Sequence, residues 1–174
     1  MKTISTPLRR ACCALMLAAT STAFAAPGAP LGTDKAEVSY RNSAGFTEMD
    51  RSPGARTDWL DELSRYVAKR AARTLPDGER LLVTITDVQR AGMIEPWHGP
   101  ASSDLRIVRD TSPPRIDLNF QLVAANGAVL KEGARKLRDL AFLSRTGFYR
   151  VEALSYEKNL IDDWMRADFG PTQR

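Results

Sequence analysis

A nine-residue segment in which apolar and polar residues alternate constrains the fold of this chain more than any other feature. In residues 115–123, RIDLNFQLV, every second residue is apolar, from Ile116 to Leu122, and the residues between them are polar, from Asp117 to Gln121. Successive side chains of a strand point to opposite faces. The pattern therefore predicts a strand with one face in the core and one in water, as is typical of antiparallel sheets.

The residues that follow this strand predict a β-hairpin. Asn126-Gly127 is a strong hairpin signal, because both residues tolerate the left-handed conformation that tight turns need. A two-residue loop would set Leu122 opposite Lys131, whereas a three-residue loop with Gly127 in the left-handed position would set it opposite Leu130. We prefer the second register, because a one-residue slip would mix the two faces.

The remaining segments predict further strands and two helices. The helix over 57–74 has apolar residues at helical spacing from Leu60 to Ala71. In the strand over 80–89, continued alternation would put Asp87 on the apolar face at the strand end, where a carboxylate usually caps the rim of the sheet or pairs with an arginine. The other expected elements are strands over 36–41, 105–110, 115–123 and 129–138 and a helix over 154–169.

The predicted order, β-α-β-β-β-β-α, belongs to the α+β class. We expect an antiparallel sheet of about four to five strands with two helices packed on one face. The helical face of the last segment predicts that Leu160, Trp164 and Phe169 belong to the core.

The first 25 residues have the three parts of a secretory signal. Residues 1–10 are basic, residues 11–19 are apolar, and Ala23 and Ala25 provide small residues before a cleavage site after Ala25. The apolar run is far shorter than the roughly 20 residues that span a bilayer. We expect a periplasmic or secreted protein, exported by the general or the twin-arginine route.

The signal segment accounts for most of the net charge. The chain has 25 Lys and Arg against 21 Asp and Glu, a formal charge of +4. Three basic residues and no acidic residue lie in the signal, which leaves 22 against 21 in the exported chain. This near-neutral chain lacks the basic field of a nucleic-acid-binding protein, and we expect no nucleic-acid partner.

After the signal, the length suits one domain with one core. No other apolar run reaches the length of a transmembrane span. We divide the chain into a signal (1–25), a flexible linker rich in Pro and Gly (26–35), a single α+β domain (36–169) and a C-terminal tail (170–174).

Few residues could support catalysis or metal binding. Cys12 and Cys13 lie in the signal, and His98 is the one histidine. Zinc sites need converging His, Cys or carboxylate ligands, and a nucleophilic serine usually needs a histidine base. We therefore expect no metal, no cofactor and no catalytic triad. Two carboxylates that meet in space could hydrolyse a glycoside, but no pair is marked in the sequence.

The segment EPWHGP is the first candidate for ligand contact. It contains Glu95, Trp97 and His98 between prolines and a glycine. Stiff loops often present an aromatic side chain to a ligand. The alternative is that Trp97 folds back onto the core.

A mixed group of charges is the second candidate. On adjacent antiparallel strands, these residues would line up across the wet face and form exposed ion pairs. Alternatively, the arginines would bind a carboxylate, a phosphate or a glycan. The group consists of Asp104, Arg106, Arg109, Asp110, Arg115 and Asp117.

Several short motifs together resemble domain of unknown function 3016, a family of secreted bacterial proteins. They are EPWHGP (95–100), DLRIVRD (104–110), PPRIDL (113–118), LKEG (130–133), LRDL (137–140), YEK (156–158) and DW (163–164). The resemblance covers roughly residues 36–169, although His98 stands where an arginine is expected. It implies an envelope location and a single domain type, and it brings no activity and no catalytic residues.

Three functions are compatible with the sequence. The preferred hypothesis is a non-catalytic binding or accessory module of the cell envelope, whose partner is an envelope protein, a glycan or a small anionic ligand. The alternatives are an envelope-polymer hydrolase that uses carboxylates and a structural subunit of an envelope complex. A cleft with two converging carboxylates under Trp97 would favour the hydrolase. A flat or convex sheet face with paired charges would favour the binding module, and a broad apolar patch would favour the structural subunit.

Overall fold

A five-stranded sheet is the centre of the fold. The computed structural model describes residues 31–51, 57–95, 105–144 and 154–171, so the predicted signal lies outside the described residues. In chain order the elements are β1 (Leu31–Thr33), β2 (Ala36–Tyr40), α1 (Thr47–Arg51), α2 (Asp58–Thr74), β3 (Arg80–Gln89), β4 (Met93–Ile94), β5 (Arg106–Ile107), β6 (Arg115–Val123), β7 (Val129–Arg138) and α3 (Ser155–Phe169).

The spatial order of the sheet is β1-β2-β3-β6-β7. All neighbouring strands are antiparallel except β2 and β3, which are parallel. The α+β prediction is confirmed, and the sheet is mostly antiparallel. The parallel pair was not predicted. It arises because α2 connects β2 to β3 and returns the chain to the same end of the sheet, as a crossover helix does.

Two predicted segments differ from the structure. The predicted linker 26–35 contains β1, which pairs with β2 and covers its edge. Of the predicted strand 105–110, only Arg106 and Ile107 are extended, and they pair with β4 in a separate two-stranded sheet. This small sheet needs a glycine at position 92, because that residue has a φ of 72° and a Cβ there would collide with the backbone of Ile107.

The hairpin between β6 and β7 has the predicted loop but a different register. The backbone N–H of Ala124 donates to the carbonyl of Ala128, and Gly127 adopts a φ of 83°, so three residues form the loop. The pairing then shifts by one residue between Val123 and Leu122, which faces Lys131 instead of Leu130. The expected Leu122–Leu130 pair was wrong, because the extra residue of the shift lies in the strand beyond the loop.

A bulge near the end of β3 corrects the expected position of Asp87. The register shifts between Ile85 and Asp87, so Asp87 pairs with Asp117 on the outer face and Val88 continues the buried face. Simple alternation was therefore wrong for this residue. The expected arginine partner is present, since Arg115 donates to Asp87 at 2.6 Å.

The core lies between the sheet and helices α2 and α3. The predicted stripe on α2 is buried, and Leu160 and Trp164 of α3 are buried as predicted, with Phe169 partly buried against them. Phe120 of β6 makes edge-to-face contacts with Trp164 and with Phe169, at ring-centroid distances of 5.7 and 5.6 Å. One face of the sheet is thus covered by the two long helices.

Within residues 31–51, 57–95, 105–144 and 154–171, no helix is long and apolar enough to cross a membrane.

Candidate functional site

The outer face of the sheet, opposite α2 and α3, is lined mainly by polar side chains, and we call it the polar sheet face. Its side chains stand in rows across the strands, because paired residues lie side by side in a sheet. The central row joins Ser39, Thr84, Asn119 and Ala134, one from each of four neighbouring strands. We call it the floor row, because all four side chains are short.

Longer side chains flank the floor row. On one side, Leu82, Gln121 and Glu132 are paired in register. On the other side, Asp117 pairs with Asp87 and with Lys136. The floor row thus runs across the strands between a row with Leu82, Gln121 and Glu132 and a row of charged side chains.

A groove of about 460 Å³ lies over the middle of this surface, and we call it the sheet groove. Its lining combines amide, hydroxyl and carboxylate groups with one leucine, one phenylalanine and one glycine. The lining residues are Leu82, Thr84, Asn119, Phe120, Gln121, Glu132 and Gly133.

Some of the hydrogen-bonding groups of the sheet groove remain free. The amide nitrogen of Gln121 donates to Glu132 at 2.9 Å, and the hydroxyl groups of Ser39 and Thr84 share a hydrogen bond of 3.3 Å. The exposed Asn119 amide makes no hydrogen bond to any residue that the structure describes. The sheet groove therefore offers a free amide and several half-used polar groups to a ligand.

The arginines that border the polar sheet face are paired with carboxylates. Arg138 donates to Asp117 at 2.7 Å, and Arg80 donates to Glu37 at 2.7 Å. Together with the Arg115–Asp87 pair, these contacts are ion pairs between side chains of neighbouring strands.

The structure separates the predicted arginine group. Arg115 is on β6, but Arg106 is on β5 in the small sheet and Arg109 follows it. Arg106 donates to the carboxylate of Glu48 and to the carbonyl of Gly92, and Arg109 donates to Glu95 at 3.1 Å. These three arginines therefore do not form one row. Trp97, His98 and Asp104 lie outside the described residues.

The motifs of the sequence correspond to a known protein family. The family model described as protein of unknown function (DUF3016) matches residues 34–167. The chain belongs to the DUF3016 family. This confirms the resemblance found from the sequence motifs. No curated protein and no solved structure gives a significant match to the chain.

The DUF3016 domain also buries three glutamates beside the small sheet, of which only Glu95 was a predicted site residue. Glu48 and Glu157 are 1% and 2% exposed, and Glu95 is 4% exposed. Glu48 accepts a hydrogen bond from the backbone N–H of Arg90 at 2.9 Å. Glu157 accepts one from the backbone N–H of Ala91 at 2.7 Å. Each glutamate thus has a partner inside the fold.

A periodic signal for Glu157 was present in the sequence of the DUF3016 domain. Glu157 precedes Ile161 by four residues and Trp164 by seven, which puts it on the apolar face of α3. Glu48 has no such signal, because it lies in α1, a helix of five residues that is too short to show a periodic pattern.

The electrostatic surroundings of Glu157 favour its neutral form. Burial raises the pKa of the Glu157 carboxyl, while the Ala91 N–H and the charges of Arg90 and Arg106 act in the opposite direction. The Arg90 guanidinium lies over the Trp59 ring, 5.5 Å from its centroid. This arrangement resembles a structural polar cluster more than an open anion site.

The described part of the DUF3016 domain contains no group of three or more His, Cys, Asp or Glu residues that could hold a metal ion.

Proposed function

We propose that this DUF3016 domain is a non-catalytic binding module of the bacterial cell envelope and that the polar sheet face is its ligand surface. The observation that carries the proposal is the position of the long helices. Both α2 and α3 pack against the opposite face, and the sheet groove lies on the outer face with free polar groups.

The envelope location is part of the same proposal. It is supported by the basic, apolar and small-residue parts of the first 25 residues, which are typical of a secretory signal. The near-balance of charges in the remaining chain is consistent with a ligand recognised by local groups and not by an overall field.

The contacts of the buried glutamates favour binding over hydrolysis. A hydrolase needs two carboxylates that face the scissile bond. Glu48 and Glu157 instead accept backbone N–H groups in the interior, and Glu95 is bound by Arg109. These contacts account for the three acids as structural groups of the fold.

Co-sedimentation with envelope fractions tests the proposal. Purified chain is incubated separately with peptidoglycan sacculi and with membrane vesicles, and the bound fraction is measured. We expect binding to one fraction, and at least a tenfold loss of affinity in Asn119→Arg, which fills the floor row. Ala167→Arg is the control, because it adds the same charge at an exposed position on α3.

Three outcomes would contradict the proposal. Equal binding by Asn119→Arg and the control would remove the polar sheet face as the ligand surface. Release of soluble fragments from either fraction, measured by mass spectrometry, would support the hydrolase alternative. Binding that is lost instead when Leu140 and Leu143, two exposed leucines, are replaced by serine would support a structural subunit.

A further inference from the structure

We infer that the ligand of the sheet groove is a neutral oligosaccharide that lies along the floor row. This inference rests on the proposed function, since it names the ligand class of the same surface. It follows from three observations: the chemistry of the groove lining and the floor row, the charges at their border and the position of the groove on the face of the sheet.

The floor row combines small size with hydrogen-bonding capacity. Thr84 and Asn119, which line the sheet groove, provide a hydroxyl group and a free amide, and Ser39 and Ala134 extend the row beyond the lining with a hydroxyl and a methyl group. Hydroxyl and amide groups both donate and accept hydrogen bonds. This mixture complements the hydroxyl groups of a sugar, which also donate and accept.

The row beside the floor adds an apolar contact and further acceptors. Leu82 is half-buried on the otherwise polar face, and it lies next to Gln121. An apolar side chain among polar groups suits a sugar ring, which has an apolar C–H face and polar edges. A small number of placed polar groups next to apolar surface is typical of ligand sites.

The charges disfavour an anionic ligand. Glu132 is the single charged side chain in the lining of the sheet groove, and it is acidic. The guanidinium groups nearby are already bound by Asp117, Glu37 and Asp87. An anion would therefore meet the Glu132 carboxylate in the lining and guanidinium groups that are already paired, whereas a neutral ligand meets no repulsion. Lys136 is exposed on the same face but outside the lining.

The position of the sheet groove on the face of the sheet disfavours a peptide that binds as an added strand. Extended peptides bind sheets by pairing with the backbone of an edge strand. The sheet groove lies on the face of the sheet, where the backbone groups of β3 and β6 are already paired with neighbouring strands. Neighbouring strands are about 4.8 Å apart, so the four-residue floor row is roughly 14 Å long, enough for a short run of sugar rings.

Titration with defined oligosaccharides tests the ligand class. The probes are a neutral tetramer of N-acetylglucosamine, a neutral tetramer of glucose, the cationic deacetylated form of the first tetramer, and inorganic phosphate. We expect one of the two neutral tetramers to bind more tightly than the cationic tetramer and phosphate by at least tenfold. In amide NMR spectra, the side-chain NH₂ signal of Asn119 should shift on binding.

Two variants test whether the neutral tetramer binds at the floor row. Thr84→Val removes a hydroxyl but keeps the branched shape that suits a strand, and Asn119→Ala removes the free amide. Each should weaken binding at least fivefold. Lys69→Ala is the control and should leave binding within twofold, since Lys69 is exposed on α2, on the opposite side of the sheet.

The failure of this inference can be told from the failure of the proposed function. If no neutral tetramer binds, or if phosphate or the cationic tetramer binds best, the ligand class is wrong. The proposed function still stands in that case if Asn119→Arg abolishes envelope binding. If a neutral tetramer binds equally to wild type, Thr84→Val and Asn119→Ala, the floor row is not its site.

Discussion

The carboxylate of Glu157 accepts a hydrogen bond of 2.7 Å from the backbone N–H of Ala91, 66 positions away in the chain. The preceding N–H, that of Arg90, is bound by Glu48 at 2.9 Å. Two consecutive N–H groups just after β3 are therefore satisfied by buried acids, one from α3 and one from α1. This pair of contacts ties both helices to the end of the central strand.

Replacing Glu157 tests the structural role of the first contact. Glu157→Ala would leave the Ala91 N–H buried without its partner, which should lower the free energy of unfolding by about 2–3 kcal/mol. Glu157→Gln keeps an oxygen acceptor and should lose about 1 kcal/mol or less. Urea denaturation at neutral pH measures both. Equal losses for the two variants would contradict a role as hydrogen-bond acceptor.

The raised pKa of Glu157 predicts a pH dependence with a defined sign. A group whose folded-state pKa lies above its unfolded value, about 4.3 for glutamate, stabilises the fold most when it is protonated. That stability is fully present below pH of about 4.3 and is lost as the pH rises through the folded-state pKa.

Comparison of wild type with Glu157→Gln, in which the side chain is neutral at every pH, isolates the contribution of Glu157 ionisation to stability. The stability of wild type relative to Glu157→Gln should fall as the pH rises above about 4.3 and then become constant. Denaturation curves of both proteins across this range provide the measurement. A difference that is independent of pH, or that favours wild type more at higher pH, would mean that burial does not dominate at this carboxyl.

The Arg106–Glu48 contact predicts a stability effect without a binding effect. The Arg106 side chain is 16% exposed and that of Glu48 is 1% exposed. Removing one partner of such a buried pair typically costs about 3–5 kcal/mol, since the other charge is left uncompensated. Arg106→Met should therefore destabilise the fold by about this amount.

A double-mutant cycle separates the pair from its surroundings. Arg106→Met combined with Glu48→Gln should be less destabilising than the sum of the single changes by at least about 1 kcal/mol. The folded fraction of Arg106→Met should still bind the envelope, because Arg106 is on β5 and not on the polar sheet face. Loss of binding at unchanged folded fraction would restore Arg106 as a ligand contact.

Hydrogen bonds to Asp168 link α3 to the edge strand β7. Asp168 accepts hydrogen bonds from Lys131, Arg135 and Trp164 at 3.0, 2.9 and 2.7 Å. Burial raises the pKa of Asp168, but the hydrogen bonds from Arg135, Lys131 and Trp164 outweigh it and hold this pKa below its usual range. Lys131 and Arg135 lie on the inner face of β7, and inward charges of this kind protect an edge strand from unwanted pairing.

Asp168→Asn should destabilise the fold by about 1–3 kcal/mol at neutral pH, because it weakens the hydrogen bonds from two cations and from an indole. A carboxyl group whose pKa is lowered by folding stabilises the fold at pH values above its unfolded-state pKa, about 3.9 for aspartate. This stability is lost as the pH falls through the folded-state pKa. Wild type should therefore lose its advantage over Asp168→Asn below pH of about 4. An advantage that persists in stronger acid would argue against the ionised contact.

Local patterns predicted most of the fold because the chain follows them over long stretches. Alternation in residues 115–123 and the stripe on α2 each repeat several times, so one exception cannot reverse them. The exceptions came from single inserted residues. The register shift at Leu122 and the bulge before Asp87 each add one residue, and no local pattern marked either place.

The candidate site was harder to predict, because its residues come from different strands and become neighbours only when those strands pair. Thr84 and Asn119 are ordinary outward residues of their own strands, and they become neighbours through the β3–β6 register. Strand pairing also explains why the predicted arginine group does not form one surface. Arg106 and Arg115 are close in sequence, but β5 pairs with β4 instead of joining the five-stranded sheet.

Replacing Trp97 tests the remaining hypothesis about the EPWHGP segment, that this indole contacts the ligand at the edge of the polar sheet face. If so, Trp97→Ala should weaken envelope binding while changing the free energy of unfolding by less than about 1 kcal/mol, as is usual for surface substitutions. Trp59→Ala is the matched control, because Trp59 is 7% exposed and packs in the core. Its truncation should cost about 3–5 kcal/mol. A loss of similar size for Trp97→Ala, measured by the same urea titration, would assign Trp97 to the core and remove it from the ligand surface.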